Sequence, residues 1–392
     1  MQELRHFRAD KAIVDSTGRS RFVIVGRDDE LHRPATAWLG FLHDVGRSPN
    51  TIRDYATRLA YYLSWTAQTG DWRAINLAHL AMWRNVLATT PVRKTNGKES
   101  FRSDDTVNLW IVPVRGFYEW ADAQGLLTTD VVARMTHVKY FAPGTAAGGE
   151  TGTTKRVLVP ELRPTPRTGP HEDPEWIDSA DARRKLESLE LNLRDRFLVD
   201  LLYFTGVRVG EALSLFTRDM HFGGGIPSMG CRRVDPHLHV VMDNPVENGA
   251  RAKGSERVLP VSEHLVDRYI DYVLERQRLL ASGDNSPHVM VNLYARDHHR
   301  GKAMTDTNVR KMLRRVSKRI DFDITGPHML RHTLATRLVR GIDCDPQPLD
   351  VVQSILGHRS IESTRIYTHD QERAKKEALA AIAPRTLDLE TL

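Results

Sequence analysis

The sequence predicts a mainly α-helical chain in two domains, the second of them α+β with a small antiparallel β-sheet. Three observations lead there. Apolar residues recur at helical spacing from Ala35 to about Phe141, and again through the second half of the chain. Residues 142–174, rich in Gly, Thr, Pro and Arg, separate these regions and cannot build a core of their own. In the second region Val240-Val241-Met242 and Arg257-Val258-Leu259-Pro260-Val261 are β-prone, which suits a short hairpin rather than a large sheet.

Bulk properties narrow the field before any motif does. A chain of 392 residues is expected to form two or three domains with proper cores. With 56 Lys and Arg against 50 Asp and Glu, the net charge is +6, which permits nucleic-acid binding without requiring it. The two cysteines, Cys231 and Cys344, are too few for a disulfide framework or a four-ligand zinc site, and suit a reducing cytosol. The start, Met1-Gln2-Glu3-Leu4-Arg5-His6, is charged with no apolar run behind it, and eighteen consecutive apolar residues occur nowhere. The expectation is a cytoplasmic protein, neither secreted nor bound to a membrane.

Taken in order, residues 1–34 read as an arm or hairpin. Lys11-Ala12-Ile13-Val14 and Arg21-Phe22-Val23-Ile24-Val25 flank a turn at Ser16-Thr17-Gly18-Arg19-Ser20. Either a DNA-binding arm or a packed flap fits, and the flap is the simpler reading. In residues 35–141, Ser48-Pro49 opens a helix with a cap and a first-turn proline, and Ile52, Tyr55, Ala56, Leu59 and Leu63 follow at helical spacing. A shorter helix is expected over residues 77–87. Another follows Ser103, with Val107, Trp110, Ile111, Val114, Phe117, Tyr118 and Ala121 on one stripe and a kink expected at Pro113. Its aromatic residues read as core rather than as a platform for stacked bases.

Residues 142–174 read as a linker, either a passive tether or a segment whose Lys155, Arg156, Arg163 and Arg167 track phosphates. The second domain, 175–372, begins near Trp176. Phe197, Leu198, Leu201 and Leu202 lead a helix into Thr205-Gly206, while the Gly- and Pro-rich residues 221–239 read as a loop. Lys253 is expected in the turn of the β-hairpin or on its flank. Val309, Met312, Leu313, Val316 and Ile320 mark one face of a further helix, and Arg310, Lys311, Arg314, Arg315, Lys318 and Arg319 cover the rest. Residues 373–392 read as a helix and tail.

The residues with chemical potential cluster late. Pro327 opens a helix in which His328 and Arg331 share a face. Leu349, Val352 and Leu356 mark another helix, stopped by Gly357 in the manner of a left-handed cap, and His358 emerges from that stop. Tyr367 follows, a phenol that becomes a nucleophile once its anion is stabilised. Two histidines, an arginine and a tyrosine form a set suited to phosphoryl transfer, which rests on positioning and on offsetting charge at phosphorus. Blander readings exist for each: Arg208 with Glu211 as a helical ion pair, Lys253 as a solvated turn residue, Tyr367 as a surface tyrosine. His328 and His332 are spaced as in a zinc helix, yet Met329 stands where a metalloprotease has glutamate and Arg331 would repel a cation.

The His328-x-x-Arg331, Leu356-Gly357-His358 and Tyr367 boxes closely resemble those of the tyrosine recombinases, the phage-integrase class. Thr205-Gly206-Val207-Arg208-Val209-Gly210-Glu211-Ala212-Leu213 resembles that family's first-arginine box, and Lys253-Gly254-Ser255-Glu256-Arg257 its lysine hairpin. Five boxes in order are specific where one would be weak. The resemblance implies a helical core-binding domain over 35–141, which grips DNA, and an α+β catalytic domain over 175–372. It implies catalytic Tyr367, Arg208, Lys253, His328, Arg331 and His358, with Lys302 as the alternative lysine. The implied activity is site-specific DNA breakage and rejoining through a 3′-phosphotyrosyl link, without ATP, Mg²⁺ or another cofactor. Implied partners are double-stranded recombination sites, further copies of the chain in a tetramer on DNA, and accessory DNA-bending proteins. The sequence is most similar to phage- or transposon-type integrases. Relaxation of DNA in the manner of a type IB topoisomerase, or DNA binding with idle chemistry, are the alternatives.

Overall fold

A computed structural model describes residues 6–13, 20–93, 99–141, 155–161, 175–242, 244, 246–252, 255–296 and 298–358. The chain divides into two compact units, residues 1–170 and 171–392.

The first unit opens with a hairpin of β1 (Arg8–Ile13) and β2 (Ser20–Val25), antiparallel with Arg8 opposite Val25 and Ile13 opposite Ser20. It is a packed flap. Val23, Ile24 and Val25 are buried, the Phe7 amide donates to Ser64 Oγ at 2.8 Å, and the Ile24 amide donates to Thr36 Oγ1 at 3.1 Å. Helices α1 (Arg33–Asp44), α2 (Pro49–Thr69), α3 (Leu77–Thr89) and α4 (Asp104–Ala123) follow. Ser48, Asn76 and Ser103 cap the last three by accepting from the amides of Thr51, His79 and Thr106. Between α3 and α4 runs a two-residue ladder of β3 (Val92–Arg93) and β4 (Glu99–Ser100).

The aromatic stripe is core, as expected. Trp83, Phe117, Tyr62 and Tyr118 are buried; Tyr62 donates to the Tyr118 hydroxyl at 2.8 Å, and Tyr118 donates to the Trp72 carbonyl at 2.9 Å. Pro113 lies inside α4, where it cannot donate to the carbonyl of Leu109. Arg58 supplies the missing donor, Nη1 to that oxygen at 2.9 Å, so one helix spans the proline.

After α5 (Val131–Arg134) the helical reading of the sequence fails. Residues up to Phe141 form β5 (Thr136–Phe141), which pairs antiparallel with β6 (Lys155–Pro160), inside the stretch read as a linker. Val138 and Tyr140, like Val157 and Val159, are β-formers at alternate positions, a short signal outweighed in the sequence by neighbouring Gly and Pro.

The second unit begins with α6 (Ala180–Ser188), α7 (Leu193–Thr205) and α8 (Val209–Ser214). An antiparallel sheet in the order β7-β8-β9 follows, from β7 (Met220–His221), β8 (His237–Val240) and β9 (Arg257–Pro260). Then come α9 (Glu263–Leu280), α10 (Asp306–Ile320), α11 (Pro327–Arg340) and α12 (Leu349–Leu356). Helix α7 is the spine of the core: Phe197, Leu198, Leu201 and Leu202 are fully buried among α8, α9, α10 and α11 residues. On α10 the five apolar residues are buried and the six basic ones exposed, as the periodicity predicts.

The sheet corrects a second expectation. Residues 221–239 are not all loop: β7 ends in His221, and β8 starts at His237 rather than Val240. On β8, Leu238 and Val240 are buried on one face while His237 and His239 take the other. Histidines break an apolar reading, so the alternation was hidden. Among the described residues no helix is long and apolar enough to cross a membrane. The helix expected after Tyr367 lies outside the described residues.

Candidate active site

The site is assembled where four helix ends meet β9. Helix α7 stops at Gly206, φ +63°, in the left-handed conformation that ends helices. A Cβ there would lie 2.9 Å from Leu334 Cδ2 and 3.0 Å from Leu356 Cδ2, so the absent side chain lets α11 and α12 close on this turn. Two residues on, Arg208 occupies the N-cap of α8, and its amide donates to Glu211 Oε2 at 2.8 Å.

Glu211 organises one side of the pocket. Its carboxylate is buried and accepts from Arg208 Nη1 at 2.9 Å, from Arg257 Nη2 at 2.8 Å and from Arg257 Nη1 at 3.2 Å. Burial pushes the carboxyl upward, but the hydrogen bonds and charge of Arg257, then those of Arg208, outweigh it, and the net direction is down. Arg257 also donates Nε to the Ile355 carbonyl at 2.9 Å, tying β9 to α12. Gly210 makes a second close approach: a Cβ on it would lie 2.4 Å from the Arg251 carbonyl oxygen. The base of the β8–β9 connection is thereby seated on α8.

Helix α11 presents Arg331, which is buried and donates to the carbonyls of Gly206 at 2.5 Å and Leu356 at 2.6 Å. Both acceptors belong to helix C-termini, where the backbone carries partial negative charge. Gly357, φ +64°, ends α12 with the Arg257 guanidinium packed against it, and His358 leaves that turn with its amide donating to the Gln353 carbonyl at 3.2 Å.

Three imidazoles share this field. His358 is lowered to about 4 by burial, then by Arg331 and Arg208. His332 is lowered to about 4 by burial, then by His328 and Arg331. His328 is lowered by burial, then by Arg331, Arg208 and Arg310. The same guanidiniums depress His328 and His358, so one cationic pocket holds them all. Its imidazoles are neutral at pH 7 and each keeps a basic nitrogen and an N–H.

Of the six predicted catalytic residues, the structure brings together Arg208, His328, Arg331 and His358. Lys253 and Tyr367 lie outside the described residues. Lys302 is exposed beside a depression lined by Glu247, Asn248, Asn292, His299 and Asn308, a set that includes none of the four. Two further residues line the same pocket. In the sequence Arg257 stands out only as the end of the lysine-hairpin box and a β-prone position, and His332 as half of a zinc-like pair beside a repelling Arg331; the signal for His332 is its one-turn spacing from His328.

Paired guanidiniums and neutral imidazoles on a helical domain with a three-stranded sheet form a pocket with the charge and proton acceptors that phosphoryl transfer uses. The comparisons with known proteins agree. Residues 175–374 match the phage integrase family. The chain is 24% identical to Transposase A from transposon Tn554 of Staphylococcus aureus over 361 residues, covering 91% of this chain and 92% of the relative. It is 28% identical to tyrosine recombinase XerC of Corynebacterium efficiens, covering 87% of each. Among solved structures, XerH site-specific recombinase bound to a palindromic difH substrate superposes with a TM-score of 0.54 at 19% identity, covering 87% of this chain and 84% of that one. The Tn1549 transposon integrase in complex with a circular intermediate DNA gives 0.52 at 14%, covering 88% and 99%. The chain belongs to the phage integrase family, and it is a site-specific recombinase of the tyrosine type.

Proposed function

We propose that the pocket around Arg208 and Arg331 binds the scissile phosphate of a double-stranded recombination site and that Tyr367 attacks it. The convergence of the two guanidiniums with His328 and His358 carries this reading. Arg208 and Arg331 neutralise the nonbridging oxygens, where a planar guanidinium offers paired donors. His328, whose pKa is lowered so that it is neutral, takes the phenolic proton of Tyr367 as the bond to phosphorus forms. His358 donates an N–H to the phosphate. Lys253 hands a proton to the departing 5′-oxygen, leaving a 3′-phosphotyrosyl link and a 5′-hydroxyl. Attack by the 5′-hydroxyl of a partner strand then reverses the step and completes exchange. The link conserves the energy of the phosphodiester, so the residues named carry the reaction through without a nucleotide triphosphate.

In this reading residues 35–141 grip DNA opposite the catalytic domain, 175–372, with 142–174 linking them and 1–34 packed on the first. Strand exchange between two duplexes requires four cuts, so four copies of the chain act together on DNA. Residues 373–392 dock on a neighbouring copy, and DNA-bending proteins assist. A cytoplasmic location accords with a DNA substrate.

The test is capture of the covalent complex on nicked DNA, followed by sequencing of the attached ends. The wild-type protein is expected to yield an adduct at a defined sequence. Tyr367→Phe is expected to yield none while binding DNA within about two-fold of wild type, since one hydroxyl is lost and the charged contacts stay. An adduct formed by the Phe variant would remove Tyr367 from the role. Lys253→Ala is expected to slow cleavage by roughly 10²-fold or more, the usual scale of a general acid. A substrate with sulfur at the bridging 5′ position should restore it, because a thiolate leaves without a proton. No rescue by sulfur would reassign that proton transfer, with Lys302 next in line.

A further inference from the structure

A second cluster of chemically able side chains lies on the small sheet, and none of its members belongs to the pocket just described. His221 on β7 stands opposite His237 on β8 in the register. His239, two residues further along β8, projects to the same face. Cys231 lies on the connection between the strands. One ligand atom from each of these four residues falls within 4.8 Å of every other. Cys231 Sγ is 3.1 Å from His237 Nε2, which is 3.2 Å from His239 Nε2. Ligand atoms around a tetrahedral zinc ion are separated by about 3.3–3.6 Å, given Zn–N near 2.0 Å and Zn–S near 2.3 Å.

Hydrogen bonding has prepared two of the rings. His237 Nδ1 is 2.7 Å from the Asp235 carbonyl and His221 Nε2 is 3.0 Å from the Arg218 carbonyl. A carbonyl only accepts, so both of those nitrogens carry the proton. The other nitrogen of each ring is then a bare lone pair. His237 Nε2 faces Cys231 and His239. His221 Nδ1 is buried with no hydrogen-bond partner, in a side chain 4% exposed. A buried acceptor left unsatisfied is costly, and a metal ion would satisfy it. Fixing ring tautomers through backbone carbonyls is the usual outer support of a metal-bound imidazole.

We propose that His221 Nδ1, Cys231 Sγ, His237 Nε2 and His239 Nε2 bind one zinc ion that fastens the residues 222–236 connection to the sheet. One thiolate with three imidazoles suits zinc by ligand softness, and the absence of a carboxylate from the set disfavours magnesium and calcium. Four protein ligands leave no open position, so the ion is structural. The sheet it fastens carries Arg257, and metal loading stiffens the strand that positions Glu211. A cysteine count does not reveal such a set, because only one of these four ligands is a cysteine.

The test uses the full-length protein, without a histidine tag, purified from zinc-replete cells. Mass spectrometry of metal content is expected to find close to one zinc per chain. Chelation is expected to lower the melting temperature, and zinc to restore it. Cobalt substitution should give a thiolate-to-metal charge-transfer band in the wild type that is lost in Cys231→Ser. His239→Gln, at a half-buried position, should lower zinc content and make melting insensitive to chelator. Should Cys231→Ser fail to fold, the wild-type cobalt spectrum and the His239→Gln protein still decide the matter. The proposal is overturned if the wild type holds no zinc and the metal-free protein binds it no tighter than micromolar, as a purely hydrogen-bonded cluster would behave. Full zinc content in Cys231→Ser together with His239→Gln would overturn it equally.

Discussion

Glu211 compensates two guanidiniums at once and has no exposure to water of its own. Replacing it by the isosteric amide in Glu211→Gln keeps the shape and removes the charge, leaving Arg257 buried beside a neutral group. Breaking a buried ion pair from one side costs about 3–5 kcal/mol, and urea unfolding of the variant should show a loss on that scale. Cleavage should suffer beyond the stability loss, because one amide oxygen replaces the two carboxylate oxygens that Arg208 and Arg257 share. Arg257 shows why sequence reading reached only part of this arrangement. Glu211 and Arg208 are three residues apart and pair visibly, whereas Arg257 reaches back 46 residues to the same carboxylate. Spacing reports neighbours along one helix and is silent about a side chain arriving from a strand.

At the scale of elements, the site depends on how closely α8 meets the connection leading to β9. Gly210→Ala would set a methyl group 2.4 Å from the backbone oxygen of Arg251, and backbone cannot rotate away as a side chain can. Overpacking of this kind costs about 1–3 kcal/mol, readable as a lower melting temperature. Because Arg251 precedes Lys253 by two residues, cleavage is expected to fall more than DNA binding does. Much of the helical framework is legible in the sequence: helices following Ser48 and Ser103 in the first unit, and in the second a helix leading into Gly206, a glycine stop at Gly357 and the sidedness of α10, all follow from local rules. The strands were not. Strands β7 and β8 are two and four residues long, and half of β8 is histidine, so neither length nor alternation rose above the surrounding Gly and Pro.

Over the whole molecule the depressed histidines predict an acid limit. His332 and His358 are held to about 4 in the folded protein, and so is His32 of the first unit, by burial, against its own backbone hydrogen bond and then with Arg73. In the unfolded chain the same rings titrate near 6.5. Between these values the unfolded state binds more protons, so stability falls as pH drops from about 6.5 toward 4 and is independent of these groups above that window. Melting curves taken from pH 7.5 to 4.5 should show this decline. His332→Gln should flatten it, and a decline of equal steepness in that variant would assign the acid sensitivity elsewhere. Four of the residues proposed as catalytic are recognisable as types at fixed spacings, but their neutral or charged state belongs to a pocket that exists only once the domain has closed.

The two carbonyls that hold Arg331 have a consequence for the order in which the protein comes into being. One lies 125 residues earlier in the chain and the other 25 residues later. During synthesis Arg208 and Glu211 emerge early and can pair on their own helix, while the partner guanidinium lacks the second of its two carbonyls until residue 356 has left the ribosome. Closure of so long a loop is expected late in folding, since its entropy must be met before the contact rewards it. A nascent or truncated chain therefore carries the first arginine without the pocket, and the ability to break a DNA strand arrives only with a finished domain.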